Sequence, residues 1–263
     1  MYQRTPFKFD AVIFDLDGVI TDTARVHAAA WKSLFDEYLR SRADKSKEEF
    51  RPFSLDGDYR YYVDGKPRYD GVRSFLHSRG IELPFGDPSD GPQQETICGL
   101  GNRKDRVFVS IVKKDGVRVF ESSVRLIKQL RDQGVRCGLI SSSKNCQLLL
   151  QLSGTEDLFE AKVDGVMSAA LKLRGKPAPD IFLKCAQLLK VSVGRSVVVE
   201  DAIAGVQAGR NGGFGLVIGV DRAGLAEKLK ENGADVVVRD LSNASPPDID
   251  QWFRTKLKQT ETN

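Results

Sequence analysis

Four short stretches carry residue types whose spacing suits one kind of chemistry. The first is Ala11-Val12-Ile13-Phe14-Asp15-Leu16-Asp17-Gly18, an apolar run of strand type ending in two carboxylates and a glycine. In an extended chain, residues i and i+2 point to the same side. Asp15 and Asp17 are therefore aimed at one small volume, and Gly18 lets the chain turn sharply behind them. Two such acids without a partner repel, which drives one toward its protonated form. A bound cation removes that conflict. The second stretch is Ser141-Ser142-Ser143, which follows the apolar run 135–140. Serines at a helix start, with free backbone N–H groups beside them, make an anion site. The third, Gly175-Lys176-Pro177, offers a point charge for phosphate. The fourth, Glu200-Asp201, ends the β-branched run 196–199. Clustered carboxylate oxygens suit Mg²⁺, a hard cation bound by a few acids plus substrate phosphate. Each stretch also has a plain reading when taken alone: a solvated strand end, a helix cap, a solvated lysine, a loop acid pair. In this order, each at a strand end or helix start, they describe phosphoryl transfer, where catalysis is mainly positioning and charge neutralisation.

These groups need a scaffold that brings strand ends together. Ligands of an open parallel sheet bind beyond the carboxyl ends of its strands. Apolar runs predict strands at 11–14, 135–140, 161–164, 196–199, 214–220 and 234–238, and period-3.6 patterns predict helices between them. The helices fall at 24–40, 102–113, 122–133, 178–189, 202–210 and 226–232, with one more through Leu152 and short ones at 71–79 and 95–98. Near-continuous apolar strands alternating with helices imply an α/β fold, a doubly wound parallel sheet of Rossmann type. Residues between Thr23 and Gly116 break the alternation and read as an inserted helical cap. Within it, 41–51 is charged and reads as a loop or helix end, while 52–92 crowds aromatics, Gly, Pro and charges together. The expected division is an α/β catalytic core of 1–23 and 117–263 with a cap of 24–116. Residues 1–10 read as a polar lead-in, and 255–263 as a polar, frayed end.

A chain of 263 residues can bury a large core, and the composition is that of a globular protein. The formal charge is only +4, with no Lys/Arg block, so neither nucleic acid nor membrane is expected as a partner. A mild positive excess suits a small anionic substrate. The cysteines, Cys98, Cys137, Cys146 and Cys185, lack metal-type spacing, and two histidines do not make a polyhistidine metal site. No leader-like or membrane-spanning run is legible, and the expected location is the cytoplasm. The chain is expected to act as a monomer.

The order Asp15-x-Asp17-Gly18-Val19, strand then Ser141, Gly175-Lys176-Pro177-Ala178-Pro179-Asp180, and Val199-Glu200-Asp201-Ala202-x-x-Gly205 resembles the haloacid dehalogenase superfamily. Phe14-Asp15-Leu16-Asp17-Gly18-Val19-Ile20-Thr21-Asp22-Thr23-Ala24, followed by His27 and Trp31, resembles its β-phosphoglucomutase-like subfamily. The resemblance covers about residues 9–240. It implies that Asp15 is a nucleophile forming an aspartyl phosphate and that Asp17 is the general acid and base. It implies a Mg²⁺ ion held by Asp15, the Asp17 main-chain carbonyl, Asp201 and Glu200. Ser141 and Lys176 would hold the transferring phosphoryl group, with Ser142 beside them, and Ser143, Lys144 and Asn145 would touch the far end of the substrate. In the cap, His27, Arg73 and Lys104 match a hinge histidine, a distal-phosphate arginine and an active-site lysine. The implied substrate is a sugar phosphate, and the favoured reaction interconverts β-glucose 1-phosphate and glucose 6-phosphate. The alternatives are a sugar-phosphate phosphatase, in which water takes the phosphoryl group, and a catalytically silent binding module. A dehalogenase would leave Asp17 and the metal acids with little to do.

Overall fold

The computed structural model describes residues 5–261, with side chains through residue 258. The chain divides into two compact units, Met1–Asp22 with Val117–Asn263, and Thr23–Gly116. The first begins with strand β1, Ala11–Asp15. The second holds helices α1 (Ala24–Ser46), α2 (Arg68–Ser78) and α3 (Ile97–Asp115), with a π-helical stretch at Leu55–Val63. The chain then continues through α4 (Glu121–Asp132), β2 (Arg136–Ile140), α5 (Cys146–Ser153), β3 (Ala161–Val163), α6 (Gly165–Ala170) and α7 (Asp180–Leu189). It ends with β4 (Ser196–Glu200), α8 (Ile203–Asn211), β5 (Leu216–Val220), α9 (Ala226–Glu231), β6 (Val236–Val238) and α10 (Pro246–Glu261).

The six strands form one parallel sheet in the order β3-β2-β1-β4-β5-β6. Every residue of β1, β4 and β5 is buried, which explains their unbroken apolar runs. The order reverses direction between β1 and β4, and this topological switch is where a crevice opens at the strand ends. Register places the chemistry there. Asp15 lies opposite Ile140 and Phe14 opposite Val199, so Asp15, Ser141 and Glu200 leave the sheet at the same level. Ile13, Ile140, Phe182, Val198, Phe214 and Val217 belong to the core that fixes this edge.

The helical unit has its own aromatic core. Phe35 lies 4.2 Å from Phe75 and 5.0 Å from Phe53, ring centre to ring centre. Asp36 locks the loop to α1, accepting from Phe53 N at 2.7 Å and pairing with Lys32 at 2.7 Å. The aromatics of 52–92 thus include this unit's buried centre, at Phe53 and Phe75, with Val63 buried in the same core.

The structure departs from the sequence reading at several boundaries. The segments 95–98 and 102–113 are one helix, α3, because Thr96 caps it by accepting from Gly99 N and the chain stays helical through Gly99 and Gly101. Helix α1 extends six residues beyond the predicted end, into the charged 41–51 stretch. Helices α6 and α10 and the π-helical stretch were not expected. Asp164 caps α6. Ser245 and Asp248 form a reciprocal capping box for α10, whose Ile249 and Phe253 are buried. The end expected to fray is therefore helical to Glu261. Residues 262–263 of that end, and 1–4 of the lead-in, lie outside the described residues. Ser141–143 do not open a helix, because α5 starts at Cys146. They form tandem side-chain turns, Ser143 N donating to Ser141 Oγ and Asn145 N to Ser143 Oγ, both at 3.1 Å. Among the described residues no helix is long and apolar enough to cross a membrane.

A charged tie joins β6 to α4. Asp240 Oδ2 accepts from Arg222 Nη1 at 2.8 Å and from Ser122 Oγ at 3.0 Å, and Oδ1 accepts from Ser242 N at 2.8 Å. Partial burial works to raise the Asp240 pKa, but these hydrogen bonds outweigh it and leave the carboxyl below its usual range. A carboxylate with a depressed folded pKa adds stability above its unfolded pKa and loses it as pH falls through the folded value. Asp240→Asn is therefore expected to cost about 1 kcal/mol at neutral pH, discounted for a group one-third exposed. In urea titrations the gap to wild type should narrow steadily below about pH 4.

Candidate active site

The site grows from the three strand ends that the sheet aligns. Asp15 closes β1 and is 5% exposed. Glu200 closes β4 and is fully buried. Lys176 lies between them, its side chain 1% exposed, with Nζ 2.6 Å from Asp15 Oδ1 and also paired with Glu200 Oε1. Its peptide bond to Pro177 is cis. The other Glu200 oxygen accepts from the backbone N–H groups of Asp201 and Ala202, each at 2.9 Å. Glu200 thus turns the chain after β4 and aims Asp201.

The turn after Asp15 is tight. Gly18 has φ of +83°, a conformation that glycine adopts without the steric cost of a Cβ. Its N–H donates to Thr21 O at 2.7 Å, and Ile20 N and Thr21 N both donate to Leu16 O at 2.9 Å. The Asp201 carboxylate occupies the space a Cβ on Gly18 would need. Gly18 therefore serves twice, making the turn and leaving room for an acid. Ser141 is fully buried, with Oγ 3.5 Å from Asp17 Oδ2, the long limit of a hydrogen bond. The structure thus brings Asp15, Asp17, Ser141, Lys176, Glu200 and Asp201 together. Ser142, Ser143 and Asn145 are half-buried in the loop after β2, and Lys144 is exposed there.

Charge dictates what this cluster wants. Four carboxylates surround one ammonium. Burial pushes the Asp15 carboxyl well above its usual range, Lys176 opposes that shift, and Glu200 and Asp17 add to it. For Lys176, burial works to lower the pKa, but Asp15 and Glu200 outweigh it and hold the amine protonated. The surplus of buried negative charge and the all-oxygen donor set both fit a hard divalent cation. Asp15, Glu200 and Asp201 each offer one oxygen, all within 4.8 Å of one another.

In the helical unit, Lys104 is 3% exposed, with Nζ 2.5 Å from His27 Nδ1. Its ammonium lies 4.6 Å from the Phe108 ring centre and 5.1 Å from that of Trp31, and the His27 ring stacks on Phe108 at 3.9 Å. Arg73, in contrast, is 63% exposed and pairs with Asp70 three residues away. A second arginine of α2, Arg68, reaches α3. It pairs with Asp105 at 2.9 Å and donates to Asn102 at 3.2 Å, both on α3. Arg68 is the first residue of α2, five residues before Arg73.

Gly205 is the other residue whose task needs the fold. A Cβ on it would overlap the Glu200 carboxylate. In an exposed helix, Gly→Ala stabilises by about 0.5–1 kcal/mol. Here Gly205→Ala is expected to lower stability by about 1–3 kcal/mol, because a buried acid must move. Thermal melts of the variant check the sign. Lys176→Met leaves two buried carboxylates without their cation and should cost about 3–5 kcal/mol when unfolding is followed in EDTA.

With this geometry in hand, comparison with known proteins places the chain. The family model for haloacid dehalogenase-like hydrolases matches residues 9–213. A β-phosphoglucomutase of Mycobacterium tuberculosis is 47% identical over 240 residues, spanning 90% of this chain and 92% of that protein. One from Bacillus subtilis is 31% identical over 252 residues, 95% of this chain and 98% of that one. Among solved structures, a β-phosphoglucomutase from Clostridium difficile shares the fold with a TM-score of 0.72, at 24% identity, over 95% of this chain and 99% of that one. The chain belongs to the haloacid dehalogenase-like hydrolase family, in its β-phosphoglucomutase-like branch, and is an enzyme of the phosphomutase and phosphatase type.

Proposed function

We propose that the enzyme interconverts β-glucose 1-phosphate and glucose 6-phosphate through a phosphoryl group carried on Asp15. The observation that carries this reading is the buried Lys176, clamped between Asp15 and Glu200 where a transferring phosphoryl group needs a fixed positive charge. The likeness to β-phosphoglucomutases over nine-tenths of the chain supports the choice of sugar.

In the first half-reaction an Asp15 carboxylate oxygen attacks phosphorus, and the bond from phosphorus to the donor sugar oxygen breaks. Asp17 gives its proton to that departing oxygen. In the second half-reaction the acceptor hydroxyl loses its proton to Asp17 and takes the phosphoryl group from Asp15. Lys176 and Ser141 hold the phosphoryl oxygens throughout. Asp15, Asp201, Glu200 and the Asp17 main-chain carbonyl would hold Mg²⁺, which supplies charge neutralisation for the phosphoryl oxygens. Ser142, Ser143, Lys144 and Asn145 are the proposed contacts to the rest of the substrate. His27, Lys104 and Arg73 are the proposed selectors for the sugar and its second phosphate. Arg68 joins them because it ties α2 to α3, the helix that carries Lys104.

Phosphorus NMR of β-glucose 1-phosphate with Mg²⁺ and a trace of the 1,6-bisphosphate is expected to show glucose 6-phosphate. Free phosphate instead would make the enzyme a phosphatase. Asp15→Asn should lower turnover by on the order of 10³-fold or more. Lys104→Ala should cost about 10–100-fold, with Arg73→Ala and Arg68→Ala separating the two arginines. Unchanged turnover in all three would overturn the assignment of the helical unit to substrate selection.

A further inference from the structure

Arg222 follows β5 and belongs to none of the four motifs, yet its guanidinium meets the catalytic turn. Its Nε donates to Gly18 O at 3.1 Å. Its Nη1 donates to Asp240 Oδ2 at 2.8 Å and lies 3.4 Å from Arg239 O. The guanidinium carbon sits 3.7 Å from the centre of the Phe120 ring. Phe120 in turn donates its N–H to Ile20 O at 2.9 Å, on the far side of the same turn. One planar cation thus grips the turn directly at Gly18 and, through Phe120, borders it again at Ile20.

We propose that Arg222 is a positioning residue that holds the Asp17–Gly18 turn in its working shape. Gly18 is bonded to Asp17, so the orientation of the Gly18 carbonyl is coupled to that of the Asp17 backbone and carboxyl. A glycine at positive φ has wide freedom and needs an outside restraint. The turn's own hydrogen bonds use the Gly18 N–H and the Leu16 carbonyl, and Arg222 restrains the Gly18 carbonyl. Asp240 and the Phe120 ring fix the guanidinium, and a fixed fork loses less freedom per hydrogen bond than a flexible ammonium. The role of Asp17 as acid and base rests on the reading under Proposed function; the hold on the turn does not.

The test compares Arg222→Met with Arg195→Met. Arg195 also pairs with a carboxylate, Asp10, at 2.6 and 2.7 Å, where β1 begins and away from the strand ends that carry the site. Both variants should melt lower than wild type. Below melting, only Arg222→Met is expected to exchange its Gly18, Ile20 and Thr21 amides at least tenfold faster. Its kcat should fall about 10–100-fold with KM changed less than about threefold, since a misplacement of about 1 Å can cost on the order of 10²-fold. Arg222→Lys should recover only part of the kcat, because a point donor cannot span both acceptors. Equal amide exchange in the two Met variants, or equal kcat below melting, overturns the inference. If wild type forms no phosphoenzyme at Asp15, the functional reading fails by itself, and amide exchange still decides the hold of Arg222 on the turn.

Discussion

The ion pairs of Lys176 with Asp15 and Glu200 are the constraint on which the rest of the structure depends. Burying an ammonium costs several kcal/mol unless close acceptors replace its water. Here two strand-end carboxylates do so, and neither would tolerate burial without the lysine. The sheet must therefore present β1 and β4 as neighbours, in a register that puts Asp15 and Glu200 level. The loop before α7 must come back to the same point. A fold that satisfied the hydrophobic pattern but shifted β4 by one residue would send Glu200 to the other face and leave the ammonium under-paired.

The same constraint leaves negative charge unbalanced. One lysine cannot neutralise Asp15, Glu200, Asp17 and Asp201. That all-oxygen donor set suits a hard divalent cation, whose charge would offset the surplus. Such surplus is poor for stability and useful for catalysis, because interactions that strengthen only as the reacting charges arrive lower the barrier rather than bind the ground state.

The turn from Leu16 to Thr21 carries that charge with little freedom. Gly18 gives up its Cβ to make room for Asp201, and Gly205 gives up its own to make room for Glu200. Both glycines belong to close packing between acids and backbone, and Arg222 holds the side of the turn that these contacts do not reach.

Much of this was legible in the sequence. The strand runs, the order of the acids, the three serines and Lys176 all lie in local patterns whose physics is short-range: period 2 or 3.6, a carboxylate after an apolar run, a lysine before proline. Asp15, Asp17, Lys176, Glu200 and Asp201 could be singled out on those grounds, and the parallel α/β class followed from the alternation of apolar runs with helices. The tertiary structure decided the rest. It joined 95–98 to 102–113 as one helix and gave the polar end a capped helix with a buried face. It moved the serines off the helix start, and tied Arg68 to Asp105 on α3 while leaving Arg73 exposed and paired with Asp70. It also brought Arg222 to Gly18 across 204 residues of chain. The physical reason is the same in each case. Residue type and spacing report local propensity and burial, whereas which long side chain reaches which backbone atom depends on strand order and register, and those are properties of the whole sheet.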